Sequence, residues 1–193
     1  MSCKTDPRPP RFAYVAHCLM NANAKVDEWA PCAGVHPGLF GLLREKGYTI
    51  RQMPCPELAF AGLNRFWQVR QQYDTPAYRR HCSDLAEPVA ELIYQDLKEP
   101  GAEVVLIGVD GSPTMGVRFT SSGPDWGGRP DKPGDFDSDV VSGKGIFVEI
   151  LLGKLAARGI AEPRASAMTT DMPDGDEASA LAEIGATLDG PAR

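Results

Sequence analysis

Five cysteines (Cys3, Cys18, Cys32, Cys55 and Cys82) are the residues of this chain best suited to do chemistry. Cysteine thiolates hold iron–sulfur clusters and also suit zinc and copper(I). No Cys-x-x-Cys pair occurs, so spacing alone makes a weak case for a metal site. Cys18 ends a short apolar run, and Cys55 sits inside Pro54-Cys55-Pro56-Glu57. Both enter turns, and for each, chemistry and packing are equally open. Cys82 lies in an apolar helical stripe and reads as packing. Cys3 belongs to a polar, proline-rich lead-in and reads as inert. A reversible disulfide between Cys18 and Cys55 is a further alternative, requiring Cα atoms within about 7 Å.

Glu57 follows Cys55 closely. In a dry crevice its carboxyl could act as a general acid or base, and otherwise it pairs with a cation such as Arg65. Ser112 precedes Pro113 in a turn, where it either bonds substrate or relays a proton, or caps the turn. His17 precedes Cys18 and reads as a hydrogen-bonded structural residue more readily than as a pocket residue. His36 reads as a helix entrance and His81 as an exposed helical residue. Phosphate-loop, dinucleotide and nucleophile-elbow patterns are absent. Gly143-Lys144-Gly145 either holds an anion at a helix start or forms a hinge, the hinge being favoured.

The elements that must position these residues alternate between strand and helix. Phe12 to His17 reads as a first strand and Tyr48 to Met53 as a weaker one. Between them, His36-Pro37-Gly38 opens a helix through Leu39, Phe40, Leu42 and Leu43 that Gly47 stops. Thr75-Pro76 reads as a helix start, followed by Tyr78, Cys82, Leu85, Val89 and Leu92 on one face, with a kink expected at Pro88. Glu103 to Val109 is the clearest strand, and its near-continuous apolar run suits a central parallel position. Arg118 to Ser142 is a long polar stretch without periodicity; it reads as a lid in which Trp126 covers a pocket, or as a surface insert. A helix from Ile146 to Gly159, a strand over Pro163 to Met168 and a helix over Asp176 to Gly185 complete the chain.

This alternation predicts an α/β fold, with residues 11–193 as a single Rossmann-like domain whose mostly parallel sheet is flanked by helices, after a disordered lead-in over 1–10. Such sheets bind ligands beyond the C-terminal ends of their strands. Cys18, Pro54 to Glu57 and Ser112 to Met115 should all arrive there. The chain has 193 residues and a net charge of −6, which disfavours a nucleic-acid partner. Mean hydropathy is −0.26 and no run of about 18 apolar residues occurs, so no membrane partner is expected. An odd cysteine count without an apolar leader predicts the cytoplasm.

Ala16-His17-Cys18-Leu19-Met20-Asn21-Ala22-Asn23-Ala24-Lys25-Val26 resembles the opening motif of a group related to TudS-type thiouracil desulfidases. Pro54-Cys55-Pro56-Glu57-Leu58, with Gly62-Leu63-Asn64-Arg65, is similar to that family's second motif. Tyr73 to Arg79 is similar to the segment that follows. Gly108 to Thr114 resembles the third motif, and Gly143 to Phe147 the start of the last long helix. The likeness covers roughly residues 12–159.

The resemblance implies a 4Fe–4S cluster held by three cysteines, one from each motif, with a fourth iron that takes sulfur from a thiolated nucleobase while water replaces it. Carried over, Cys18 and Cys55 are ligands, and Glu57 and Ser112 assist the hydrolysis. The expected function is desulfidation of a thiopyrimidine-like small molecule. One departure stands out: the family's Ser-Pro-x-Cys-Gly reads Ser112-Pro113-Thr114-Met115-Gly116 here. A thioether lacks the charge of a thiolate. Either Cys32 supplies the third ligand, or Met115 coordinates weakly, or the cluster is lost and a nucleobase-like ligand is bound without chemistry.

Overall fold

A computed structural model describes residues 10–26, 30–123, 139–169, 172 and 174–190. The lead-in over 1–9, Cys3 and Trp126 lie outside the described residues. Pro10, assigned to that lead-in, accepts a hydrogen bond through its carbonyl from the Glu103 amide at 3.0 Å.

Four strands form one parallel sheet: β1 (Arg11–Val15), β2 (Thr49–Gln52), β3 (Glu103–Val109) and β6 (Arg164–Met168), in the order β2-β1-β3-β6. In register, Val15 lies opposite Gln52 on one side and Ile107 on the other. β1 and β3 are buried along nearly their whole length, as strands covered on both faces must be. The expected α/β fold is therefore what the chain adopts.

The connections set the layers. α2 (Pro37–Glu45) joins β1 to β2, and α7 (Glu177–Asp189) packs beside it and against β6. Between β2 and β3 come α3 (Pro56–Ala61), α4 (Arg70–Tyr73) and α5 (Pro76–Asp96). α5 packs extensively on α6 (Ile146–Ala157), which leads into β6. One core, including Tyr14, Leu106, Ile107, Ile93, Leu151 and Ile184, runs through these layers. The chain leaves β1 for β2 on one side and reaches β3 on the other. The switch of direction thus falls between β1 and β3, where such sheets place ligand crevices.

Local chemistry explains several boundaries. Thr75 Oγ1 accepts from the Tyr78 amide at 3.2 Å with Pro76 next in line, so α5 starts as expected. α2 and α6 are each followed by a glycine, Gly47 and Gly159, at φ 72°.

Three expectations need correction. The first strand stops at Val15, and His17 opens the short α1 (His17–Met20) because the chain turns down into the crevice there. The buried face of α5 shifts after Cys82 to Ala86, Val89, Ala90 and Ile93, leaving Leu92 exposed. The polar stretch 118–142 is not wholly irregular. Its ends are β4 (Phe119–Ser122) and β5 (Asp139–Ser142), paired antiparallel with Phe119 opposite Ser142. The amides at the start of α6 are already used, Gly145 donating to Gly116 O and Ile146 to Pro113 O, which leaves them unavailable for the anion that 143–145 could otherwise hold.

Candidate functional site

Three chain segments leave the same end of the sheet, and hydrogen bonds join them. Cys18 and Cys55 each lie three residues beyond the paired positions Val15 and Gln52. Cys18 sits in the first turn of α1 and is half-buried. Cys55 caps α3: its Sγ accepts from the Leu58 amide at 3.4 Å, and Pro56 pre-sets the first helical turn. Burial, reinforced by the nearby Glu57 carboxylate, pushes the Cys55 thiol up to about 11. The thiol is protonated at neutral pH, and a cation must displace that proton for the sulfur to act as a ligand.

Glu57 is 9% exposed and sits at the centre of the contacts. Its Oε1 accepts from Thr114 Oγ1 at 2.6 Å and its Oε2 from Arg65 Nε at 3.3 Å. Arg65 also donates to Gly62 O at 3.1 Å and to Ala24 O at 2.8 Å. One ion pair therefore ties together the segments that follow β1, β2 and β3. The pairing of Glu57 with Arg65 is the salt bridge that their spacing allows.

Ser112 caps its own turn, as one of its two readings expects. Its Oγ accepts from the Met115 amide at 3.0 Å and the Thr114 amide at 3.3 Å, and lies 3.4 Å from Thr114 Oγ1. Ser112, Thr114, Glu57 and Arg65 thus form one polar chain. Gly145 lets α6 press against it, because a Cβ at that position would lie 2.3 Å from the Thr114 carbonyl carbon.

The histidines are now placed. Gln52 Nε2 donates to His17 Nδ1 at 2.7 Å, and burial holds the imidazole below its usual value. His36 caps α2, its Nδ1 accepting from the Leu39 amide at 3.3 Å. His81, expected to be exposed, is half-buried: its Nε2 donates to the Pro56 carbonyl at 3.1 Å, and its ring lies beside Phe60. Spacing cannot foretell that contact, since it depends on how α3 folds back on α5.

The donor set fits a metal–sulfur centre in kind. Cys18 and Cys55 are unbridged thiols on adjacent strand ends. Cys32 lies on a loop tied to the Cys18 segment by Ala22 N donating to Gly34 O and His36 N donating to Leu19 O. In placement the set is incomplete. Cys32 Sγ donates weakly to Val35 O at 3.5 Å, and among the described residues no three His, Cys, Asp or Glu side chains are gathered to hold a metal. Met115, at the third motif position, is packed in the core.

Two residues were not legible as site residues. Thr114 lies 57 positions from the carboxylate it contacts. Asp110 is fully buried, its Oδ1 accepting from the Val117 and Arg118 amides at 2.9 Å each, and it shapes the turn that presents Ser112. An aspartate directly after a buried strand was the available signal.

No described helix is long and apolar enough to cross a membrane. No family model matches the chain, and no solved structure matches it. It is 33% identical over 107 residues to the uncharacterized protein MJ0003 of Methanocaldococcus jannaschii, an alignment covering 55% of this chain and 68% of that one. At that identity and coverage, the chain belongs to the family of the uncharacterized protein MJ0003.

Proposed function

We propose that the chain is a desulfidase that hydrolyses the carbon–sulfur bond of a thiolated, thiopyrimidine-like small molecule. The observation that carries this reading is the Ser112–Thr114–Glu57–Arg65 chain, which lies at the strand-end crevice and follows the Cys55 cap. The reaction exchanges one bond for another: water oxygen bonds to the ring carbon, the carbon–sulfur bond breaks, and sulfide leaves carrying the water protons. No oxidant or reductant is needed.

Cys18 and Cys55 would hold a 4Fe–4S cluster, with Cys32 as third ligand once its loop turns inward. When bound, such a cluster supplies an open iron that acts as a Lewis acid and accepts sulfur. Glu57 takes a proton from the attacking water. Arg65 and Thr114 hold that carboxylate in place, so little reorganisation is needed as charge develops. Ser112 fixes the turn through its two amide contacts and keeps Thr114 aimed at Glu57. Free thiols and such a cluster suit a reducing cytoplasm. The acidic surface suits a small substrate better than a nucleic acid.

A second reading has one observation in its favour. Met115 is only 4% exposed and packed in the core, as in a relative that has lost the cluster and binds a nucleobase-like ligand without chemistry. Anaerobic reconstitution followed by iron and sulfide analysis separates the two. Brown protein that releases sulfide from a thiopyrimidine supports the desulfidase, and Met115→Cys should then bind more iron. Colourless, iron-free protein that binds thiopyrimidine without turnover overturns it in favour of the binding protein.

A further inference from the structure

β2 stands at one edge of the sheet and pairs only with β1. In a parallel ladder, alternate residues of a strand turn both backbone groups toward the neighbour. Met53 N donates to Val15 O, which fixes the phase: Thr49 and Arg51 face β1, and Ile50 and Gln52 turn their N–H and C=O outward. Among the described residues, nothing bonds to those four groups. Open edges are commonly guarded by charge, proline or a bulge. Here Arg51, the charged residue of β2, is tied to Asp96 at 2.9 Å. Apolar side chains flank the edge instead. Arg79 and Glu87 of α5 reach Glu149 and Lys154 of α6, so the opposite flank of α5 faces the β2 side. That flank carries Leu85, Pro88 and Leu92, spaced three and four apart, and Leu92 is 40% exposed. On the other face of the sheet, Gly38 and Leu42 of α2 meet α7, which leaves Phe40, 39% exposed, on the flank toward β2.

We propose that a second copy of this chain pairs with the β2 edge, antiparallel about a two-fold axis at Arg51, so that the two sheets become one. Ile50 then exchanges both backbone hydrogen bonds with the partner's Gln52, and Gln52 with the partner's Ile50. The contact is isologous, each copy using the same surface. The two Arg51 side chains meet at the axis already neutralised, each by its own Asp96. Because Asp96 ends α5 and meets Arg51, the last turns of α5 lie at the axis, where Leu92 faces its mate. Charge matches in the same register. Glu91 and Lys98 stand about two turns apart on the exposed side of α5, bridged by Gln95, which donates to Glu91 and accepts from Lys98. Neither has an ion-pair partner among the described residues. The antiparallel copy sets Glu91 beside the partner's Lys98 and Lys98 beside the partner's Glu91. An unrelated strand would satisfy the edge amides without this doubled match, which is what selects a second copy as the occupant.

The test is sedimentation equilibrium of the full chain, with amide hydrogen exchange read at Ile50 and Gln52. The wild type should dimerise, and those two amides should exchange more slowly as protein concentration rises. Leu92→Glu puts like charges at the axis, twice over by symmetry, and should weaken the dimer about tenfold while melting in dilute solution is unchanged. Lys98→Glu should weaken it several-fold, and Glu91→Lys combined with Lys98→Glu should restore it, because the swap keeps the match. A wild type that stays monomeric at millimolar concentration overturns the proposal. A dimer indifferent to Leu92→Glu and to the charge variants overturns it too, since the copies then meet elsewhere. So does a dimer in which the Ile50 and Gln52 amides exchange as fast as in the monomer.

Discussion

Asp110 shows how much of the crevice depends on one buried charge. The carboxylate has 0% exposure and follows β3 directly. Beyond its two contacts with the Val117 and Arg118 amides, it accepts from Arg118 Nε at 3.0 Å. A buried carboxylate is tolerated only when its acceptor sites are filled in this way. Removing it leaves backbone amides and a guanidinium without their acceptor. Asp110→Ala should therefore cost about 3–5 kcal/mol of stability, and Asp110→Asn about 1–3 kcal/mol, since the amide oxygen still accepts. Urea unfolding followed by circular dichroism measures both. A loss below 1 kcal/mol in the alanine variant would mean that neighbouring groups or water replace the carboxylate.

Between elements, charge adds to the packing of Tyr73 on Tyr78 in joining α4 to the α5–α6 pair. Asp74, just after α4, accepts from Arg79 of α5, and Glu149 of α6 accepts from Arg79 at 3.0 Å and from Arg70 of α4. The hydrogen bond from Arg79 holds the Asp74 carboxyl below its usual value. For Glu149, burial pushes upward, but Arg70 and Arg79 more than offset it and the net direction is down. Carboxyls lowered in the native state add stability above their unfolded values, about 3.9 and 4.3, and lose it as pH falls through the lowered native values. The pairs are partly solvated and contribute below about 1 kcal/mol. Arg79→Gln should thus melt up to about 4 °C lower than wild type at pH 7, and the gap should close toward pH 3. Scanning calorimetry at both pH values decides it; a gap that persists at pH 3 would assign the loss to packing of the arginine stem. Elements with local signals were legible from the residues: Thr75-Pro76 opens α5, and the apolar run of β3 marks a central strand. β4 and β5 were not, because Phe119-Thr120-Ser121-Ser122 and Asp139-Val140-Val141-Ser142 carry little apolar alternation. Their pairing is set by long-range contacts, such as Gln71 of α4 donating to Ser122 Oγ at 2.7 Å.

At the scale of the whole molecule, parallel strands and the rule that ligands gather at their C-terminal ends foretold that Cys18, Cys55 and Ser112 would leave one edge. The rule works from topology alone. Which side chains then touch depends on loop paths that no periodicity encodes, so the contact of Thr114 with Glu57 emerges only from the coordinates. The same topology separates the site from the source of stability. The core draws mainly on β1, β3, α5, α6 and α7, where Tyr14, Phe147 and Leu151 are fully buried, with Leu19 of α1, Leu39 and Leu43 of α2 and Met53 after β2 added to it. Small domains whose core is a metal site unfold without the metal. The core of this chain is made of apolar side chains, with Cys18 only at its margin and Cys55 outside it. Cys18 is half-buried, and a serine at 55 keeps a cap for the Leu58 amide. The double variant Cys18→Ser/Cys55→Ser should therefore bind no iron, yet unfold cooperatively within about 4 °C of the iron-free wild type, a difference of roughly 1 kcal/mol for a chain of this size. Calorimetry on both proteins in the presence of a chelator measures it. Loss of the cooperative transition would show instead that the two thiols are structural and that the crevice and the core are one unit.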